Sequence, residues 1–139
     1  MTTQLNNSVP TRDAGRNLVQ VVTRTVGFST PLISTADTIV VGRLPTGAQI
    51  ISCIVRITTA FNTTTTNVLT VGTSAGSNAD VISDADLSEG VVGTTVGTRG
   101  CDLTFTADTS IYVKYTQSGT AATAGSAVIT LLYAPDANG

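Results

Sequence analysis

Threonine is the commonest residue in this chain and valine the next, and that bias toward β-branched side chains restricts the fold before any pattern is read. Both residue types are held to few χ1 rotamers, which costs little on a pleated strand and more in a helix. Of the charged residues that populate surface helices there is one glutamate, Glu89, and one lysine, Lys114. Helical i, i+4 charge pairs are missing almost everywhere. The chain is expected to be all-β.

Period-two alternation gives the strands. Leu18 to Gly27 alternates with Val19, Val21 and Thr23 on one side and Gln20 and Arg24 on the other. Thr38-Ile39-Val40-Val41-Gly42 is a short apolar run that suits a buried strand. Leu44-Pro45-Thr46-Gly47-Ala48 reads as a type I turn with Pro45 at i+1 and Gly47 at i+3. A long strand follows, with Ile51, Cys53, Val55, Ile57 and Phe61 inward and Ser52, Arg56 and Thr58 outward, Ile54 being the exception. The polar turn Asn62 to Asn67 leads into Val68-Leu69-Thr70-Val71-Gly72, and the two runs look like a hairpin.

The stretch 73–100 is loop-rich, with a short Asp80-Val81-Ile82 run and one helical turn around Asp84 to Glu89. Cys101 to Thr106 and Ile111 to Thr116 alternate strictly around an Asp108-Thr109-Ser110 turn. A last strand, Ala127 to Tyr133, carries Ala127, Ile129, Leu131 and Tyr133 on one face and Val128 and Leu132 on the other. That makes roughly eight short strands, at the spacing of sandwiches and barrels. The long middle crossover favours an antiparallel two-sheet β-sandwich of jelly-roll or other Greek-key type. Tryptophan is absent, which argues against an immunoglobulin-like domain. Residues 1–17 are polar and aperiodic and read as an extended N-terminal arm, leaving 18–139 as the β-sandwich domain.

The absence of histidine removes the commonest general base and zinc ligand, so the expectation is a protein that is not an enzyme and carries no cofactor. Lys114 alternates with apolar neighbours and reads as a surface residue. Asp80, Asp84 and Asp86 are the only weak candidates for a metal site, with a solvated loop the simpler reading. Gly93 to Gly100 lacks the terminal Lys-Ser/Thr of a phosphate loop and reads as a flexible crossover. Cys53 and Cys101 lie in apolar alternating runs and read as buried, reduced thiols.

Charged residues make up 12% of the chain and the net charge is −2, which weighs against a nucleic-acid reader. Arg12, Arg16 and Arg24 form only a mild cluster. No apolar stretch approaches a membrane span, and the polar start lacks a secretory pattern. Neither nucleic acid nor membrane is expected as a partner, and synthesis as a soluble cytoplasmic protein is expected.

A whole-chain pattern adds to this. A polar arm precedes Leu-Pro-Thr-Gly-Ala, which opens a long Ile/Val strand. A Thr/Asn turn, Val-Leu-Thr-Val-Gly-Thr, a Gly/Asp-rich middle and a final Gly-Ser-Ala-Val-Ile-Thr-Leu-Leu-Tyr strand follow. Over about residues 18–134 this resembles the jelly-roll cement (decoration) proteins of tailed-bacteriophage capsids, as in podovirus-like heads. The resemblance implies a virion protein on the outer capsid surface that clamps neighbouring major capsid subunits, as a homo-oligomer, expected to be a dimer. It rests on style and turn placement and assigns no functional residue.

The residues themselves offer partner-interface candidates: Val9, Arg12 and Arg16 in the arm, and the off-pattern apolar residues Ile50, Ile54, Val128 and Leu132. A carbohydrate-binding or adhesive module is an alternative reading, with Tyr112 as its outward aromatic. A self-assembling minor coat or fibre protein is another.

Overall fold

In the computed structural model, residues 19–28, 37–75 and 78–135 are described. They form seven strands: β1 (Gln20–Gly27), β2 (Asp37–Leu44), β3 (Gln49–Thr59), β4 (Thr66–Gly72), β5 (Gly93–Gly97), β6 (Thr109–Ser118) and β7 (Ser126–Ala134). A four-stranded sheet has the order β1-β7-β3-β5 and a three-stranded sheet the order β2-β6-β4. Every pairing is antiparallel. These orders are those of an eight-stranded jelly roll from which the fifth strand has been deleted. At the position that strand would take beside β4 there is a single antiparallel bridge, Val71 to Ile82.

The core lies between the sheets because each strand drops alternate apolar side chains onto one face. The four-stranded sheet contributes Val26, Ile50, Cys53, Val55, Ile57, Ala127, Ile129 and Leu131, all buried. The three-stranded sheet answers with Val41, Leu44, Leu69, Val71, Ile111, Val113 and Tyr115. Connections fill the ends: Phe61 packs against Tyr115 with ring centroids 4.8 Å apart, a separation in the favourable range for aromatic pairs. Val81 and Ile82 plug the space beside β4.

Several sequence expectations are corrected. Cys101–Thr106 is not a strand: Arg99–Asp102 is a 3-10 turn and the rest is irregular. Its alternation is real, since Phe105 is buried, but the backbone is taken elsewhere, with Phe105 O accepting from Gly47 N at 2.8 Å. Gly93–Gly97, expected as a flexible crossover, is strand β5, paired with β3 from Ile57↔Gly93 to Cys53↔Gly97. The β-branched triplet Thr94-Thr95-Val96 carried that signal between its glycines. β3 and β4 are no hairpin, because β3 lies between β7 and β5 while β4 pairs with β6 in the other sheet.

In β1 the faces are reversed from expectation. Val22 and Val26 turn toward the core, and Val19 and Val21 stand 49% and 56% exposed. The register explains this, since Val21 pairs with the outward Leu132 and Val22 with the buried Leu131. The β2–β3 turn is framed one residue later than read: Ala48 N donates to Pro45 O at 3.1 Å. Gly47 therefore occupies the third position with φ +83°, which a non-glycine residue would adopt only with strain.

Candidate interaction surface

The outward face of the four-stranded sheet brings together three of the residues singled out from sequence. Register sets its rows. Val21 (β1), Leu132 (β7) and Ser52 (β3) form one. Thr23, Thr130, Ile54 and Val96 form the next, running from β1 to β5. Thr25, Val128, Arg56 and Thr94 form the third. Ile54, Val128 and Leu132 thus share one surface, each half-buried among its neighbours.

Ile50 does not belong to that surface. It is 1% exposed and packs in the core. The register of β3 against β7 shifts between Ile50 and Ser52, and this bulge inserts one residue so that Ile50 and Cys53 both point inward. Ile51 is turned out instead, at 41% exposure. Val9, Arg12 and Arg16 lie outside the described residues.

Sequence reasoning missed Val21, Ile51 and Val96 as members of this face. Val96 is 62% exposed, and Val91 and Val92, just before β5, are exposed to a similar degree. The signal for Val21 was its register with Leu132, which pairing alone reveals. Arg56 is the one charged side chain in these rows, and it makes no ion pair among the described residues. The outward face of the three-stranded sheet differs. Tyr112 and Lys114 lie half-buried there, and the segment from Asn78 to Asp80 covers Gly72, whose added Cβ would meet Asp80 Oδ1 at 2.5 Å.

The acidic residues do not converge. Asp80 accepts from Thr73 N at 2.8 Å and from the Thr73 hydroxyl. Asp86 takes a two-pronged contact from Arg99, Nε and Nη2 each at 2.9 Å, and accepts from Ser83 N. The Arg99 guanidinium and the Ser83 amide hold the Asp86 carboxyl far below the usual carboxylate range. Among the described residues no three Cys, Asp or Glu side chains group as metal ligands. A shallow, open cavity of about 370 Å³ is lined by Asp86 and residues 95–99, and its two charges already neutralise each other.

Glu89 is a different case. It is 5% exposed, and its Oε1 accepts the Leu69 amide at 2.7 Å on the edge of β4 where the deleted strand would pair. Burial pushes its carboxyl above the ordinary value, and Asp84 adds to the effect. Both cysteines are free. Cys53 is buried, which raises its thiol to about 12, while the half-buried Cys101 donates from Sγ to Ile51 O at 2.9 Å.

No family model and no curated protein matches the sequence. Solved structures do. The chain is similar to one in the capsid asymmetric unit of cyanophage Pam1, with a TM-score of 0.68, 26% identity and 86% of each chain covered. It is similar to a chain of the acidic stable capsid of Helicobacter pylori bacteriophage KHP30 (TM-score 0.57, 13% identity, 85% of this chain and 88% of that one). A chain of the Ralstonia phage GP4 capsid gives the same TM-score at 16% identity, covering 87% of this chain and 85% of that one. The fold is that of chains found in phage capsids.

Proposed function

We propose that this protein is a structural virion component that binds the outer surface of a phage capsid and cements neighbouring major capsid subunits. The carrying observation is the fold likeness, over most of the chain, to chains of three phage capsids. The exposed apolar sheet face supports the reading. Val21, Ile51, Ile54, Val96, Val128 and Leu132 form a surface that a soluble monomer gains nothing by presenting to water. In this reading residues 1–17 supply further contact area on a neighbour.

The test is to mix purified protein with empty shells that lack it and to image them by electron microscopy. Density outside the shell at regular positions is the expected result. Closed shells assembled by the purified protein alone would make it a coat subunit and end the cement reading. Removing residues 1–16 should leave thermal unfolding unchanged while weakening shell binding more than tenfold, and equal binding by the truncated chain would remove the arm from the interface.

A further inference from the structure

Among the described residues, the outer face of the four-stranded sheet carries a cation with no counter-charge. Arg56 stands in the third row of that face, exposed, between Val128 on β7 and Thr94 on β5, with Ile54 and Thr58 before and after it on its own strand. The remaining positions in the three rows are Val, Thr, Leu, Ile and Ser, and none is acidic. Covering this face removes the guanidinium from water, and a buried cation left unpaired is strongly unfavourable. A carboxylate on the covering partner is the acceptor that best compensates the Arg56 guanidinium.

Among the described residues of its own outer face, a second copy stacked face to face has no carboxylate to bring. The same rows on the copy offer another arginine and no carboxylate, so two-fold stacking would bury two like charges without compensation. Interface centres are depleted in charge but enriched in arginine, which there anchors a partner through paired contacts. Resting on the cement reading, we infer that the face docks on a different protein. That protein is a capsid subunit presenting an apolar patch with an aspartate or glutamate opposite Arg56, so the contact is heterologous and never a face-to-face pairing of two copies.

The experiment uses the full chain, empty shells of the same virus lacking it, and the variants Arg56→Gln and Arg56→Glu. Both variants should unfold at the parent temperature, because the side chain is exposed. Shell binding should fall about tenfold for Arg56→Gln and more than a hundredfold for Arg56→Glu, with the parent's salt dependence weakened in the Gln variant. Self-association by sedimentation should not change. Parent-like binding by Arg56→Glu would overturn the inference while leaving the cement reading intact. Altered self-association in the variants would overturn it too, putting a second copy on the face. Shells that take up no parent protein would end both readings.

Discussion

The side-chain carboxyl of Glu89 accepts the backbone N–H of Leu69 at 2.7 Å, in the place of a strand that this jelly roll lacks. Two residues along β4, Val71 N donates to Ile82 O at 3.0 Å, so these two edge amides are answered by one side chain and one bridge. The Glu89 carbonyl also receives Phe61 N at 3.0 Å, tying the β3–β4 crossover to the same residue. Removing the side chain with Glu89→Ala leaves a buried amide unpaired. Chemical denaturation should show a loss of about 1–3 kcal/mol.

The same residue sets a pH trend of definite sign. Its folded pKa is raised by burial, so at a pH between the unfolded and the folded values the native state binds more protons than the unfolded chain. Its contribution is at its best below the unfolded value of about 4.3 and declines as pH rises toward the folded value. Glu89→Gln keeps an acceptor for Leu69 and removes that decline. Stability measured from pH 4 to 7 should fall less steeply in the variant than in the parent, and parallel curves would refute the account.

Asp86 acts in the opposite sense. Its pKa is depressed by Arg99 and Ser83, so its contribution is present above the ordinary aspartate value of about 3.9 and is lost as pH falls below it. Asp86→Asn should leave stability at neutral pH little changed and reduce the acid sensitivity of unfolding between pH 4 and 2. The pair is largely exposed, so the effect is small and weakens with added salt.

The β3 bulge predicts a sharp contrast between adjacent isoleucines. Ile50→Ala removes a core side chain and should cost about 2–5 kcal/mol. Ile51→Ala, on the outer face, should stay within about 0.5 kcal/mol. Equal effects measured by urea unfolding would mean that the bulge is misplaced.

Gly125 has φ +149°, and a Cβ there would lie 2.2 Å from Phe61 Cδ1. Gly125→Ala should therefore displace the Phe61 ring from Tyr115, at a cost of about 1–3 kcal/mol. Near-ultraviolet circular dichroism should report the loss of the ring packing.

Much of the fold was legible because period two is a local signal. β3, β6 and β7 announce themselves through Cys53-Val55-Ile57, Ile111-Val113-Tyr115 and Ile129-Leu131, and these residues face inward as expected. Where pairing decides the outcome, the chain was misread. Val19 and Val21 have the right spacing for an inner face, and only the register with Leu132 turns Val21 outward. Ile50 shows the same limit, since a bulge is a property of two strands. At the interaction surface, Ile54, Val128 and Leu132 stood out as apolar residues on the wrong parity, which is the mark of a face needing cover. Arg56 looked ordinary on its strand and became informative only when β7 and β5 supplied uncharged neighbours.

β1 and β7 pair antiparallel, with Gln20 opposite Tyr133 and Gly27 opposite Ser126. The chain therefore enters the sheet and leaves it at the same end. Tension applied between the segment before Gln20 and the segment after Ala134 would load the Gln20–Tyr133 pair first, then peel β1 away one rung at a time, as a zipper opens. Tension between that leading segment and a surface gripping the sheet face pulls along the strand instead and strains all the rungs together. Held by its face, the protein is mechanically far stronger than when held by its two ends.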